Sequence, residues 1–480
     1  MIKVLFLRLA PWMGVMYPHP QDVPYAFDIA QATAMLDPTR YEVFFLDGIA
    51  QRLSAEDIIR KVISIKPEIV ALTATSSIQA PAAEIFGRIK SILPQVYLIG
   101  FGQHAHYSPG TFLNNSLQID SCVYGEPEIT LAELIEKMPL NPQEKRNIKG
   151  IYYWDGELQQ TSERPLTVDL DEWPMPRYGI FKGRDYRIVS INFNTFRNIR
   201  PGWILASRGC PYDCTTCSPA IRRSYGITLR KHSPERVADT FKFLSQELKV
   251  NTIYFGDDTF SLDTGWTEAI CDELIKQKST IQWGMSTRAD RLSSRLIQKM
   301  KAAGLRAAAI GVESGSERIL KYINKNISLE QVRWAINEFE KNGISINLTA
   351  IVGHVDETTD EMKETFSFLK KSKAIFMQLH YLSPYPGTKV AQVFKDRLGM
   401  IGDISHFNVA PMNVSRIPDK MLSGAIQRFY LDYYLSWGFI KKYFKYRLRY
   451  TVSNLIKELK LIKDSLAYFL LNERRAPLIK

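Results

Sequence analysis

The sequence predicts an α/β protein: an N-terminal doubly wound parallel sheet, then a partial (βα)6 barrel, then a helical C-terminal tail. Three observations support this fold class. Short apolar runs rich in β-branched residues alternate with helix-period stretches over residues 1–140, a second alternation with six such runs starts at about residue 203, and the pattern after about residue 415 is helical, aromatic and basic. Alternating strands and helices favour parallel sheets covered by helices, and 480 residues are enough for two or three domains.

The first unit, residues 1–140, contains five expected strands. They are KVLFL (3–7), YEVFFLD (41–47), EIVALTAT (68–75), QVYLIG (95–100) and SCVYG (121–125). Ligands of such sheets bind at the carboxyl ends of the strands. The loops 12–20, 75–77 and 100–104 follow three of these ends, so they form the predicted binding edge.

Residues 141–200 have the pattern of a linker. The segment YYWDGELQQ is typical of a hairpin with Asp155-Gly156 at its turn, and DLDEWPMPRYG is acidic and rich in proline, as linkers tend to be. We therefore expect the barrel to occupy residues 201–410 and a basic, aromatic helical region to occupy residues 411–480.

Six apolar runs in the second unit each end in polar or glycine residues. They are WILAS, TIYFGDD, IQWGMST, RAAAIGVESG, SINLTAIVG and FMQLHYLSPYPG. In a βα barrel the working loops follow the carboxyl ends of the strands. The polar residues at these ends are therefore the candidate site.

Three of the five cysteines, Cys210, Cys214 and Cys217, form a C-x3-C-x2-C pattern directly after the first of these runs. So few cysteines do not make a disulfide framework, and a reducing cytoplasm is the expected location. A structural zinc site needs a fourth ligand, which no nearby residue supplies. A catalytic zinc, a 4Fe–4S cluster with one open iron and a loop with incidental cysteines remain as alternatives on spacing alone.

The cysteine pattern, on the loop after the first barrel strand, resembles that of the radical S-adenosylmethionine (radical SAM) enzymes. The flanking segments ASRGCP and Ser218-Pro219 fit the same family, whereas Thr216 stands where the family usually has an aromatic residue near the adenine. The resemblance implies a 4Fe–4S cluster on Cys210, Cys214 and Cys217, with the open iron chelating the amino and carboxylate groups of S-adenosylmethionine (SAM).

Further barrel segments occur in the order in which that family has them. They are IYFGDDTF (253–260), STRADRL (286–292), GVESGSERIL (311–320), IVGHVDET (351–358) and SPYPGT (383–388). The resemblance implies that Asp257 or Asp258 accepts from the SAM ammonium and that Arg288 pairs with its carboxylate. It also implies that Glu313 and Ser314 bond the ribose hydroxyls. The glycines expected to allow close approach of the ligand are Gly311, Gly315 and Gly353.

The first unit resembles the cobalamin-binding domain of one radical SAM subgroup. The segments GEPEITLAELIE (125–136) and LDEWPMPRY (170–178) are typical of that subgroup, so the resemblance covers roughly residues 1–400. The D-x-H-x-x-G motif that supplies an axial histidine to cobalt elsewhere is missing, which implies cobalamin without that ligand. The loops at the binding edge would then cradle the corrin, with His104 as a candidate contact.

The C-terminal region 411–480 carries most of the positive charge. It has 14 Lys/Arg and 5 Asp/Glu, a net +9 of the chain's +12, with aromatic residues between the basic ones. Three interpretations stay open: a helical cap whose aromatics pack on the barrel, an anionic membrane surface, or nucleic acid. The last is disfavoured because no RNA-reading motif is present. No apolar run is long enough to cross a bilayer.

The resemblance implies a reaction as well. A reduced cluster cleaves SAM to methionine and a 5′-deoxyadenosyl radical, which takes a hydrogen from the substrate, and cobalamin meets the substrate radical. We expect methylation of an unactivated carbon of a small or lipid-like substrate, with flavodoxin or ferredoxin as electron donor. Oxidative cyclisation or rearrangement with the same cofactors is the main alternative. A methylthiotransferase would need a second cluster, and a non-enzymatic zinc-binding protein would leave the barrel motifs unexplained.

Overall fold

The computed structural model describes residues 1–10, 23–76, 78–114, 119–186, 199–217, 225–395 and 412–450. It has two consecutive strand–helix units and a helical C-terminal region, as the sequence predicts. The loop 12–20 of the predicted binding edge and the tail beyond residue 450 lie outside the described residues.

The first sheet has seven strands in the order β2-β1-β3-β4-β5-β6-β7. The strands are β1 (Ile2–Arg8), β2 (Tyr41–Asp47), β3 (Ile69–Thr73), β4 (Tyr97–Phe101), β5 (Ser121–Val123), β6 (Ile151–Asp155) and β7 (Glu157–Gln160). The first five are parallel, which confirms the predicted doubly wound sheet. Alternate side chains of each strand face opposite sides, so each side of the sheet has its own hydrophobic core.

The expected hairpin, β6–β7, is present, with Gly156 in the left-handed region at φ 76°. It is not part of a free linker, because β6 pairs antiparallel with β5 through Cys122 and Tyr152. The first sheet therefore extends to residue 160, beyond the limit of 140 that the sequence suggests. The physical reason is that β5 would otherwise be an unpaired edge strand. The domain limits themselves stay predictions.

Helices cover both faces of the first sheet. They are α1 (Phe27–Met35), α2 (Ala55–Ile65), α3 (Gln79–Ile92), α4 (Gln103–Tyr107), α5 (Pro127–Lys137) and α6 (Pro142–Lys145). On one face, Ile29 of α1 and Leu131 of α5 join a core that continues into the second sheet. On the other face, Ile58 of α2 and Phe86 of α3 form a separate core.

The second sheet has six parallel strands in the order β8-β11-β12-β13-β14-β15. These strands are β8 (Pro201–Ile204), β11 (Thr252–Phe255), β12 (Gln282–Thr287), β13 (Leu305–Glu313), β14 (Ser345–Val352) and β15 (Phe376–Tyr381). A two-stranded ribbon, β9 (Ser207–Arg208) with β10 (Arg230–Lys231), stands apart from it. Because β8 and β15 lie at opposite edges, the sheet is an open barrel of six units, as predicted.

Each α-helix that the structure describes in the second unit follows a residue whose side chain caps it. The helices are α7 (Pro234–Leu248), α8 (Thr264–Lys276), α9 (Ser294–Ala302), α10 (Glu317–Tyr322), α11 (Leu329–Lys341), α12 (Thr359–Lys371) and α13 (Lys389–Val393). The capping residues are Ser233, Asp263, Ser293, Ser316, Ser328, Thr358 and Thr388. Each cap accepts a backbone N–H that the helix leaves unpaired, so local sequence fixes where each strand–helix loop ends.

Residues 161–186, which follow β7, form a strap between the two units. The Gln31 amide of α1 donates to the Pro174 carbonyl at 2.8 Å. The Asp171 carboxylate accepts from the Ser233 backbone N–H at 3.1 Å and lies 2.7 Å from His232 Nδ1, at the start of α7. This part of the predicted linker therefore holds α1 and α7 together.

The helical C-terminal region covers the β15 edge of the barrel. It comprises α14 (Asp419–Leu422), α15 (Ala425–Tyr434) and α16 (Trp437–Tyr450). The Tyr433 hydroxyl donates to the carbonyls of Ala374 and Ile375 at 3.1 and 3.2 Å, and the Tyr430 hydroxyl accepts from the Leu379 N–H at 2.9 Å. These buried tyrosines pack on the barrel, as the cap interpretation of the sequence expects. Within the described residues, none of the helices has the length and apolar character needed to cross a membrane.

Candidate active site between the two sheets

A cavity of about 290 Å³ lies where the two sheets face each other with the carboxyl ends of their strands. Its walls include Arg8 and Thr73, the last residues of β1 and β3, and Leu205 and Gly256, which directly follow β8 and β11. Both parallel sheets therefore turn their ligand-binding edges towards one space. Asp258, one of the predicted SAM contacts, also lines this cavity.

The cysteine loop begins at Gly209, which lines the same cavity. Gly209 has φ 89°, and a Cβ there would collide with the Thr228 carbonyl oxygen. The loop is closed by the β9–β10 ribbon and by a hydrogen bond from the Cys210 N–H to the Gly226 carbonyl at 3.4 Å. A glycine is thus required at the start of the loop by both the backbone angle and the close approach.

The three loop cysteines differ from the other two in exposure. Cys210, Cys214 and Cys217 are half-buried and form no disulfide, whereas Cys122 and Cys271 are buried in the cores. Burial raises the pKa of the Cys122 thiol and, to about 12, that of Cys271. Among the five, the loop thiols are therefore the ones accessible to a cluster or to solvent.

Cys214 is seated on the turn between α10 and α11. Its Sγ lies 3.6 Å from the Asn324 carbonyl, and the Asn324 amide donates to the Asp213 carbonyl at 3.1 Å. Burial raises the pKa of the Cys214 thiol, while the cations of Lys325 and Arg288 oppose that shift. These cations would stabilise a thiolate, which is the form that binds metal.

The donor set fits an iron–sulfur cluster by its chemistry: three thiols outside any disulfide on one loop, with cations beside Cys214. Ligand geometry is not preformed, because in the described ranges no three His, Cys, Asp or Glu side chains are close enough to hold a metal ion. The cysteine ligands of the cluster therefore stay a prediction that rests on their motif and exposure.

The two candidate aspartates after β11 have different surroundings. Asp257 is buried and accepts from the Ala206 N–H at 3.1 Å and from the Ser207 hydroxyl at 2.5 Å. Burial raises its pKa to about 6. Asp257 thus ties the end of β11 to the end of β8, whereas Asp258 faces the cavity. Of the two alternatives that the motif leaves open, the geometry favours Asp258 as a ligand contact.

Arg288, the predicted partner of the SAM carboxylate, is buried and already engaged. It donates to Asp290 at 2.9 Å and to the Lys325 carbonyl at 2.7 Å, and its guanidinium lies 3.7 Å from the ring centre of Tyr212. Burial works against its charge, but Asp290 raises its pKa overall. In this arrangement Arg288 holds the cysteine loop through Tyr212, and its contact with SAM stays a prediction.

Glu313 forms an ion pair that the motif does not predict. It has φ 66°, and its carboxylate accepts from Lys325 Nζ at 2.8 Å. A Cβ on Gly311 would stand 2.5 Å from this carboxylate, so Gly311 makes room for the pair. The only sequence signal for Lys325 is its position between two asparagines, Asn324 and Asn326, a residue type that tolerates the left-handed region in which both lie.

Ser314 and Gly353 lie in turns that pack on other helices. Ser314 is fully buried, with its hydroxyl 3.3 Å from that of Thr365 in α12 and accepting from the Ser316 N–H at 3.1 Å. Gly353 has φ 81°, and a Cβ there would press on Leu422 of α14 at 3.3 Å. The structure gives both residues packing roles, and their contacts with SAM stay predictions.

His104, the candidate corrin contact, is buried inside the first unit. Its ring nitrogens lie 3.2 Å from the Ser76 hydroxyl and 3.0 Å from the Thr111 hydroxyl. Burial lowers its pKa to about 4. Because both nitrogens are engaged within the domain, His104 supports the loop 100–104 rather than reaching outward.

Two family models match the chain. The radical SAM superfamily matches residues 204–369, and the B12 binding domain matches residues 24–135. The first match begins at the end of β8 and contains the cysteine loop, and the second covers most of the first sheet. The chain belongs to the cobalamin-dependent radical SAM enzymes. This confirms the predicted cofactors of the two domain families: a 4Fe–4S cluster with SAM, and cobalamin.

Relatives with assigned names fall into more than one reaction class. The chain is 29% identical over 402 residues to an uncharacterized methyltransferase of Pyrococcus horikoshii, covering 82% of this chain and 84% of the relative. It is 26% identical over 414 residues to the anaerobic magnesium-protoporphyrin IX monomethyl ester cyclase of Rubrivivax gelatinosus, covering 83% and 72%. The solved structure of OxsB with aqua-cobalamin and SAM has the same fold, with a TM-score of 0.69 at 20% identity, covering 98% of this chain and 72% of OxsB.

Proposed function

We propose that this enzyme methylates an unactivated carbon of a small or lipid-like substrate. The observation that carries the proposal is the cavity of about 290 Å³ onto which the B12 binding sheet and the radical SAM barrel both open with the carboxyl ends of their strands. A methyl donor held by one domain and a site of hydrogen abstraction held by the other would meet there. In cofactor chemistry the protein contributes by placing the reacting groups next to each other.

Under this proposal, Cys210, Cys214 and Cys217 hold the cluster, and Asp258 contributes to the SAM site from the cavity wall. When bound, the cluster and SAM supply radical chemistry, and cobalamin supplies methyl transfer. The chain's own residues position and shield these groups. Asp257 fixes the ends of two strands, and Arg288 holds the cysteine loop. A flavodoxin or ferredoxin would deliver the electron.

Cyclisation or rearrangement with the same cofactors is the second candidate, favoured by the similarity to the anaerobic cyclase over 83% of this chain. We expect the cobalamin-loaded full chain, reduced without oxygen and given SAM alone, to form S-adenosylhomocysteine, because methyl transfer leaves that product and cyclisation does not. Mass spectrometry of the nucleoside products measures this, with cobalamin-free protein as the control. Formation of 5′-deoxyadenosine alone would favour the second candidate, and neither product would contradict both.

We also propose that the C-terminal region binds the cytoplasmic face of an anionic membrane. Among the described residues of this region, some aromatic and aliphatic side chains are buried and others are exposed. Tyr433 and Phe439 are buried against the barrel, whereas Leu435, Trp437 and Phe444 are 66%, 68% and 59% exposed. Exposed apolar side chains beside lysines suit a bilayer surface, and a lipid-like substrate would be reached there.

Replacing Leu435 and Trp437 together by Ser should weaken membrane binding at least about tenfold, because both side chains would lose insertion into the apolar layer. Co-sedimentation of the full chain with phosphatidylglycerol vesicles at low salt measures this, and added salt should weaken wild-type binding by screening. Trp334→Ser on α11, also exposed at 39%, is the matched control. Wild-type protein that stays in the supernatant, or a double variant that sediments like wild type, would contradict the proposal.

A further inference from the structure

A buried ion network joins the first unit to the cysteine loop of the second. Arg208 and Arg230 belong to the β9–β10 ribbon of the second unit, whereas Glu126 and Glu128 belong to the GEPE segment of the first unit. The side chains of all four are between 1% and 8% exposed. Buried charges of this kind are retained only where they are paired, so the four residues form one ion network.

The two arginines stand at the two ends of the cysteine loop. Arg208 lies in β9, two residues before Cys210, and Arg230 lies in β10, where the loop returns. The register of the ribbon places Arg208 and Arg230 directly opposite each other. Two like charges in that position repel each other, and the ribbon is only two residues long in each strand. The ribbon that closes the loop is therefore unfavourable by itself.

The carboxylates of the first unit neutralise this repulsion. Glu126 accepts from both arginines: from Arg230 through two bonds at 2.5 and 3.0 Å, and from Arg208 at 3.3 Å. Glu128 accepts from Arg208 at 2.6 Å. Glu126 precedes α5 at its N-terminus and Glu128 lies in its first turn, where the helix dipole also stabilises negative charge.

The network extends beyond these four residues on two sides. The Arg208 guanidinium lies 4.6 Å from the ring centre of Trp173, in the strap between the units. The second carboxylate oxygen of Glu128 has no hydrogen-bond partner among the described residues, and Glu128 lines the cavity between the sheets. The network thus reaches from the strap to the candidate active site.

We propose that Glu126 and Glu128 are positioning residues for the cysteine loop: by neutralising Arg208 and Arg230 they hold the loop closed, so that the loop reaches its working position only when the two units are docked. The role of the loop in holding a cluster rests on the proposed function. The closure of the loop does not rest on the proposed function, because closure depends only on charges and contacts within the chain.

Hydrogen exchange of the full-length protein tests the closure. In Glu126→Gln the side-chain volume is kept and the two arginines are left facing each other, so we expect exchange in peptides covering 207–217 and 226–232 to rise at least about tenfold. Glu128→Gln should act in the same direction. Glu133→Gln is the matched control, since Glu133 is on the same helix and pairs with Arg164 and Lys137 away from the loop.

A paired substitution separates charge neutralisation from general damage. Adding Arg230→Met to Glu126→Gln removes the repulsion between the two arginines, so the double variant should regain much of the lost protection from hydrogen exchange. The double variant also tests the proposal if Glu126→Gln alone does not fold. Any of three results would overturn the proposal. They are loop exchange rates equal to those of the wild type in both Gln variants, an equal rise in exchange over the whole second sheet, or no recovery of protection in the double variant.

Iron content and the electron paramagnetic resonance signal with SAM, measured after anaerobic reconstitution, provide the link to the cluster. We expect both to fall in Glu126→Gln and to recover in the paired variant. Wild-type protein that binds no iron would contradict the proposed function, while the exchange data would still decide whether the loop is held as proposed.

Discussion

Replacing any one of Cys210, Cys214 and Cys217 by Ala is expected to abolish SAM cleavage, which is the largest effect that we predict for a single substitution. Two thiolates cannot hold a 4Fe–4S cluster that keeps one open iron for SAM. Formation of 5′-deoxyadenosine by the anaerobically reconstituted protein, measured together with its iron content, should fall to background in each of the three variants.

The two buried cysteines supply the controls. Cys122 and Cys271 lie in the cores of the two units, and Ala at either position removes one sulfur atom without reaching the loop. Both variants should keep cleavage close to that of the wild type, with a modest loss of stability. Equal loss of deoxyadenosine in all five variants would show that the loop cysteines have no special role.

Replacing Gly209 by Ala is expected to have the second largest effect. The new Cβ would meet the Thr228 carbonyl oxygen in a backbone conformation that L side chains rarely adopt. Strain and forced displacement together cost about 3 kcal/mol or more, which the short β9–β10 ribbon cannot offset. We expect the cysteine loop to open and most of the iron to be lost while the two sheets remain folded.

Iron content, loop hydrogen exchange and circular dichroism measure this result. Gly110→Ala is the control, because a Cβ there meets nothing within 4 Å and its backbone angle is unstrained. A Gly209→Ala protein that retains wild-type iron and loop protection would contradict the assigned geometry of the loop.

Much of the fold can be predicted because its signals are local. The parallel strands of both sheets are visible as short apolar runs, since burial on both faces selects such runs in parallel sheets. The helices of the second unit start at Ser, Thr or Asp residues whose caps satisfy backbone groups a few positions away. The cysteine spacing, too, is a local property of one loop, which is why the amino-acid pattern alone is enough to recognise it.

The features that sequence pattern misses depend on partners far away in the chain. Residues 151–160 form an ordinary hairpin by pattern, and only the free edge of β5 decides that they extend the first sheet. The motif does not reveal that the hydroxyl of Ser314 turns towards Thr365 of α12. In both cases a long-range contact determines a role that the neighbouring residues in the chain do not indicate.

The sequence by itself determined the class of this protein: two parallel α/β units in order, a three-cysteine loop after the first barrel strand, and a basic aromatic tail. The tertiary structure alone decided which residues face the shared cavity, that Lys325 pairs with Glu313, which tail aromatics are exposed, and that Glu126 and Glu128 reach Arg208 and Arg230. The physical reason is the distance along the chain between the residues that interact. Strand pattern, helix caps and turn glycines depend on residues a few positions apart, whereas the pairing of buried charges depends on elements that meet only after both sheets have folded and docked.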